Sequence, residues 1–332
     1  MAMEDADEDQ IQKQVNPVLG EMFSRRQFLI CAAATASLLA VPRSSVAQER
    51  KPTRIILLGT KGGPNLGNTG RNNSATLILI NDVPYLVDCG YGVSRQLISA
   101  GITLNRLRYI FITHHHSDHN LEYGPLIYNA WAAAQKISID AYGPTGLKKM
   151  TNDFFEYERF DIETRIADEG YANPDKLVSV HEFDNGGLVM QNPEVKVTSC
   201  RVRHPPITQS YAYRFDTKDR SIVISGDTSY APELGEFAKG ADVLIHEAMY
   251  LPGIEKLINN APDAIRLRQH LLASHTTTAD VGRIAAQAGV KVLVLSHLVP
   301  GNDPSITDEQ WSEGVRKHFN GRIIVGKDLM EI

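Results

Sequence analysis

The chain has 332 residues, 42% hydrophobic and 22% charged, an ordinary globular composition long enough for one large or two small domains. A formal net charge of -5 and a pI near 6.1 withhold the basic footprint expected of a nucleic-acid binder. No nucleic-acid partner is therefore expected.

Residues 1–20 carry Glu4-Asp5-Ala6-Asp7-Glu8-Asp9 and no apolar periodicity, so disorder is expected there. Ser24-Arg25-Arg26-Gln27-Phe28-Leu29 then leads into an apolar run over residues 28–41 and the small residues Ser45-Val46-Ala47, the layout of a twin-arginine export signal cleaved near Ala47. The run is shorter than the roughly 20 residues that span a bilayer. The expectation is a periplasmic or secreted protein with no stable membrane anchor, handled by the twin-arginine export machinery. The domain boundaries follow as a leader over 1–47 and one domain over 48–332; a homodimer is compatible with this composition. Cys89 and Cys200 are read as separate thiols rather than a bridge, because each sits at or within a predicted buried strand.

The first strand is predicted over 54–59, followed by the Gly-rich loop Thr60-Lys61-Gly62-Gly63-Pro64-Asn65-Leu66-Gly67. No GK[ST] ending follows, so a nucleotide P-loop is not indicated. Strands at 75–80 and 85–87 make a hairpin around Asn81-Asp82-Val83-Pro84, and a helix over 93–100 ends at Gly101. Tyr109-Ile110-Phe111-Ile112 reads as a buried strand that delivers Thr113-His114-His115-His116-Ser117-Asp118-His119, with a helix over 120–135 behind it.

A strand at 138–142 and a helix at 144–157 follow. Residues 158–175 are charged and lack clear periodicity, so a surface insertion is expected, a lid or decoration. Strands are predicted at 177–183, 187–190, 195–202, 211–216 and 221–225, the last two joined by the tight turn Thr217-Lys218-Asp219-Arg220. Helices at 232–239, 263–272, 278–288 and 308–318 alternate with strands at 243–245, 290–295 and 322–325. Strand-rich segments followed by alternating strands and helices suggest two sheets flanked by helices, an α/β sandwich.

The polar residues beyond these strands are His114, His116, Asp118, His119, His204, Asp227 and His297. If the strand ends converge, these imidazoles and carboxylates suffice for two metal ions of three or four ligands each. Asp227, at a strand end and preceded by Gly226, is the candidate bridge. His115 alternates away from the ligand side. His181, His246, His270 and His318 are read as structural.

Taken together, His114-x-His116-x-Asp118-His119, Leu58-Gly59-Thr60, Val87-Asp88-Cys89-Gly90, Ser225-Gly226-Asp227-Thr228, Ile245-His246-Glu247-Ala248, His275-Thr276-Thr277 and Leu295-Ser296-His297 resemble the metallo-β-lactamase superfamily. More narrowly, they are similar to its ribonuclease Z and arylsulfatase-like branch. The resemblance implies a four-layer αββα sandwich. It also implies that His114, His116 and His204 hold one metal, that Asp118, His119 and His297 hold the other, and that Asp227 bridges them. Glu247 and His275 would act as a pair, His275 meeting the leaving group, and Asp88 would orient ligands from behind.

Two divalent ions, zinc or else manganese or iron, would acidify a bridging water into the attacking hydroxide, with Asp118 accepting its proton. The expected reaction is hydrolysis of a small-molecule ester, a sulfate ester or phosphoester first. A lactone or other carboxyl ester is the alternative. A non-catalytic metal-binding protein and an RNA-processing nuclease rank lower, the nuclease because ribonuclease Z carries a long arm between the strands matching 211–216 and 221–225, where this chain has only the tight turn. Specificity is expected from the Gly62 loop and the insertion after Glu158.

Overall fold

Strands that are apolar at every position need cover on both faces, and the first strand, β1 (Arg54–Gly59), shows how the fold supplies it. Ile55 and Leu57 point into a core shared by two sheets, while Ile56 and Leu58 point outward beneath helices. The computed structural model describes residues 50–66, 70–259 and 261–332. The expected leader, the twin-arginine segment and the cleavage point near Ala47 lie outside the described residues.

One sheet has six strands in the order β1, β2 (Ala75–Ile80), β3 (Val83–Val87), β4 (Tyr109–Phe111), β5 (Ile139–Pro144) and β6 (Val178–Phe183). Its first two pairings are antiparallel and the rest parallel. The other sheet has seven strands and begins with three antiparallel pairings, β7 (Gly187–Gln191) with β8 (Val195–Arg201), β8 with β9 (Tyr211–Thr217), and β9 with β10 (Ser221–Ile224). Parallel pairings then join β10 to β11 (Val243–Met249), β12 (Val292–Val299) and β13 (Arg322–Val325). Each sheet thus repeats a plan of antiparallel strands leading into parallel ones.

Aromatic rings lock the sheets together. Phe111 of β4 meets Phe215 of β9 edge-on at 5.2 Å and stacks on Tyr142 at 5.1 Å. Removing the fully buried Phe111 ring would cost about 3–5 kcal/mol. Outside the first sheet, Leu97, Leu126, Ile127 and Leu147 from three helices close one outer core; outside the second, Val281, Ile284, Trp311 and Val315 close the other. These layers make the expected αββα sandwich. The helix Thr278–Ala288 shows local sequence and tertiary need agreeing: Thr277 accepts from the Asp280 N–H at its start, and Gly289, at φ 64°, ends it.

Three elements differ from expectation. The charged stretch after Glu158 is a helix, Arg159–Glu169, whose Ile162 and Ile166 pack on the outer core. Its ion pairs Arg165–Asp161 and Arg165–Glu169, both 2.9 Å, dominate its composition and hide the apolar period. The expected helix 120–135 is two pieces, Ser117–Asn120 and Tyr123–Ala132. Cys89 separates them by donating to His119 O at 2.6 Å and accepting from Glu122 N at 3.0 Å. A further helix, Ile254–Asn259, was not expected. Among the described residues no helix is long and apolar enough to cross a membrane, and Cys89 and Cys200 are free thiols.

Candidate metal centre

The parallel strands of both sheets run out at one edge, and the polar residues after them meet there. β4 ends at Phe111 and hands over Thr113 to His119; His204 follows β8 and Asp227 follows β10. His297 differs from its expected place beyond a strand end. β12 continues to Val299, and its register against β11 slips between Glu247 and Ala248, so Ser296 and Leu298 are paired and His297 is the extra residue. Its φ of 42° lies in the left-handed region, and the bulge turns its ring into the centre.

The donor atoms form two sets around one carboxylate. His114 Nε2 and His204 Nε2 each lie 3.0 Å from His116 Nδ1, and each is 3.8 Å from Asp227 Oδ2. In the second set, His297 Nε2 is 3.2 Å from Asp118 Oδ2 and His119 Nε2 is 3.7 Å from it. Asp227 reaches both sets, with Oδ1 3.3 Å from His119 Nε2 and Oδ2 3.1 Å from His297 Nε2. All seven expected ligands are therefore brought together. His115 turns away to Thr145 O and Asn120.

Partners behind the rings fix which nitrogen faces inward. His119 Nδ1 donates to Asp88 Oδ2 at 2.7 Å, and His204 Nδ1 donates to Ser274 O at 2.9 Å. Thr113 Oγ1 donates to the Asp88 carboxylate and so accepts from His114 Nδ1 at 3.1 Å. In all three rings Nε2 is left as a lone-pair donor aimed at the centre. Asp88 itself sits at φ 65° and also accepts from the Thr113 N–H, so one strained residue steadies two ligands.

Electrostatics and unpaired atoms agree with this assignment. In the field of the protein's own charges, burial and the neighbouring imidazoles push His114 below its ordinary range and His116 to about 4. Burial works against ionised Asp118 and Asp227, yet His119 and His297 outweigh it and hold both carboxyls well below the usual range. Burial likewise opposes charge on His119, but Asp227, Asp88 and Asp118 pull its pKa up. His114 and His116 are thus held neutral beside ionised carboxylates, the forms that bind metal, and the carboxylate field that favours a proton on His119 would equally favour a cation in its place. His114 Nε2 and His204 Nε2, each a lone pair only 3.0 Å from His116 Nδ1, and buried His119 Nε2 and Asp227 Oδ1, which lack a hydrogen-bond partner among the described residues, fit cations between them.

Glu247 is a buried strand residue of β11 that ties the centre to its flank. Its Oε1 accepts from Thr228 N, Thr276 N and His275 Nδ1 at 3.2, 3.0 and 3.2 Å. Burial opposes a charge on His275, but the Glu247 carboxylate overrides it and raises the pKa to about 9, leaving this imidazole a proton to give. The Gly-rich loop faces the site: Gly63 N donates to Asp118 Oδ2 at 2.7 Å, and Lys61 Nζ and Asn73 Nδ2 hold the Gly63 carbonyl, each at 2.8 Å. A Cβ on Gly62 would come within 2.7 Å of the His297 ring, so only glycine fits there.

A cavity of about 640 Å³ opens over the centre. Beside Asp118, Asp227 and His275, it is walled by Leu257, Leu267, His270, Leu271 and Val299. Two expectations are corrected here. The helix after Glu158 does not line the cavity, whereas the segment between β11 and His275, which sequence alone did not single out, supplies one wall. His270, expected to be structural, lines it too. Its only sequence signal was its position five residues before His275.

Residues 84–298 match the family model described as a beta-lactamase superfamily domain. The chain is 30% identical over 281 residues to the ribonuclease Z of Mycobacterium marinum, covering 84% of this chain and 97% of that protein. With the ribonuclease Z of Mycobacterium bovis BCG the figure is 29% over the same length and coverage. In fold it resembles the metallo-beta-lactamase fold protein YhfI of Bacillus subtilis (TM-score 0.63, 22% identity, 85% of this chain and 100% of that one). It also resembles the short form of human tRNase Z (TM-score 0.61, 22% identity, 84% and 98%).

The ribonuclease Z relatives overturn the expectation that nucleic acid is no partner. Formal sequence charge leaves out any divalent ions, which are the largest charges in such a site and the ones a phosphate meets. The turn between β9 and β10 is as tight as expected, Thr217 N donating to Arg220 O at 2.9 Å.

Proposed function

Because the chain belongs to the metallo-β-lactamase superfamily of metal-dependent hydrolases acting on ester bonds, we propose that it cleaves phosphodiesters in RNA. The observation that carries this reading is the pair of donor sets sharing Asp227, with the Glu247–His275 pair at their side. His114, His116, His204 and Asp227 would hold one ion; Asp118, His119, His297 and Asp227 would hold the other. Once bound, the two ions supply a water acidified toward neutrality and polarise a phosphoryl oxygen.

The chain's own groups do the rest. Asp118 Oδ2, fixed by the Gly63 N–H, is an ionised carboxylate able to take a proton from the attacking water. His275 Nδ1 donates to Glu247, so its other nitrogen is the one offered to the leaving oxygen. The buried donors limit bulk water around the reacting group. Substrate identity is supported by the ribonuclease Z relatives, matched nearly end to end. The test compares zinc-loaded wild type with Asp227→Ala on a structured RNA with a 3′ extension, on bis(p-nitrophenyl) phosphate, on an aryl sulfate and on a lactone. Cleavage of the two phosphodiesters that Asp227→Ala abolishes is expected. Turnover of only the sulfate or the lactone would reassign the ester.

Export by the twin-arginine route is part of the same proposal, supported by Ser24 to Leu29 and the apolar run after them. N-terminal sequencing of protein recovered outside the cytoplasm should begin just after Ala47.

A further inference from the structure

One imidazole at the cavity has no part in either donor set. His270 lies on the helix Ala264–Ser274, and of the cavity-lining residues of that helix, Leu267, His270 and Leu271, it alone is polar. Its ring centroid is 6.3 Å from that of His116, 6.1 Å from His204 and 5.9 Å from His275. It therefore stands beside the centre without entering it.

Its neighbour decides its tautomer. Ser274 Oγ lies 2.5 Å from the Pro205 carbonyl and 3.3 Å from His270 Nδ1. A hydroxyl has one proton, and the carbonyl can only accept, so the serine donates to Pro205 and accepts from the ring. Nδ1 carries the proton of the neutral imidazole, and Nε2 keeps a lone pair. That lone pair is on the ring edge away from Ser274, and Nε2 makes no hydrogen bond among the described residues.

We propose that His270 is a substrate-contacting residue whose Nε2 accepts a hydrogen bond from a hydroxyl adjoining the scissile ester. For the RNA substrate of the preceding subsection, on which this identification rests, that hydroxyl is a ribose 2′-OH. The 2′-OH is the group by which a protein tells RNA from DNA. Leu267 and Leu271 flank His270 and offer a hydroxyl nothing, so one placed against this wall without His270 would be buried unpaired. A site that hydrogen-bonds a substrate hydroxyl discriminates against its absence far more strongly than an apolar wall discriminates against a methylene.

The experiment uses the zinc-loaded full chain and three probes: a short RNA oligomer, its all-2′-deoxy counterpart and bis(p-nitrophenyl) phosphate. Wild type is expected to prefer the ribo over the deoxy oligomer by about 10-fold or more in kcat/KM. His270→Ala should remove most of that ratio, its loss on RNA exceeding its loss on the other two probes. His270→Gln, which can return an acceptor oxygen to the Nε2 position, should restore part of it. Equal losses on all three probes in His270→Ala would overturn the proposal in favour of a structural role. A readout independent of turnover is the nitrogen NMR spectrum of His270. Protonation at Nδ1, with an Nε2 shift that moves on adding adenosine 5′-monophosphate and moves less with its 2′-deoxy analogue, is expected. An Nε2-protonated ring overturns the proposal even in an active enzyme. If wild type cleaves no phosphodiester, the RNA reading fails, and the spectrum alone still decides His270.

Discussion

The donor cluster and the cavity wall above it are built on opposite principles. Four of the seven donors, His114, Asp118, His119 and His204, are held from behind by Thr113, the Gly63 N–H, Asp88 and a backbone carbonyl, and the cluster sits on the rigid edge of two sheets. The wall comes from the short helices Ile254–Asn259 and Ala264–Ser274, which pack through a small cluster of their own, Ile254, Ile258 and Leu271 with Met249 and Val299. Reaction chemistry needs atoms fixed to fractions of an ångström, whereas substrate choice needs a surface that can be recut without disturbing them. Substitutions in the first region should thus act on metal and rate, and substitutions in the second on substrate preference.

The largest effect is expected at the one residue both donor sets share. Asp227→Ala should release metal from both sets and lower activity well beyond the roughly 10- to 100-fold typical of residues behind the ligands. Metal analysis of the purified variant alongside its rates checks this. Retention of two ions per chain at wild-type rate would remove Asp227 from the bridge. His275→Ala comes next: a loss of about 10²–10⁴ in kcat is expected for a proton donor, with metal content intact. Joint loss of metal and rate would instead make His275 a ligand, a role its closeness to Asp227 and His297 also permits.

Asp88→Asn divides the cluster more finely. The amide keeps the shape but loses the charge that accepts from His119 Nδ1 and Thr113. Metal affinity should fall about 10- to 100-fold, most at the set containing His119. Competition with a chromogenic chelator measures this. Unchanged affinity would show that the strained Asp88 backbone, rather than its carboxylate, is what the site uses.

This division also explains what could be read from the sequence. The ligands were legible because metal chemistry restricts the residue types, and because a two-residue spacing after a buried strand sends His114 and His116 the same way. The sandwich was legible from apolar strands such as Ile55 to Leu58. The bulge at His297 was not, since register is decided by the partner strand β11 and leaves no mark in Leu295-Ser296-His297. Nor was the wall: Leu257, Leu267 and Leu271 are ordinary helix residues, and only the packing of one helix on another turns them to the cavity. The charged helix after Glu158 drew notice for its composition, yet its apolar face serves the outer core. Net charge weighed against nucleic acid because it sums a whole chain and omits any divalent ions the donor sets would hold.

The smallest predicted effect tests the wall directly. Leu267 is half-buried, and its side chain contributes apolar surface to the cavity. Leu267→Ala should leave both metals in place and shift KM more than kcat. The change in kcat/KM should stay under about 10-fold, because a few methylene groups of an apolar wall discriminate weakly. The shift should differ between RNA and bis(p-nitrophenyl) phosphate, since the two fill the space beside Leu267 differently. If Leu267→Ala instead lowered metal content, the helix Ala264–Ser274 would be part of the metal scaffold, through the Ser274 carbonyl that holds His204. The separation between a fixed centre and a variable wall would then fail at a backbone atom that joins the two regions.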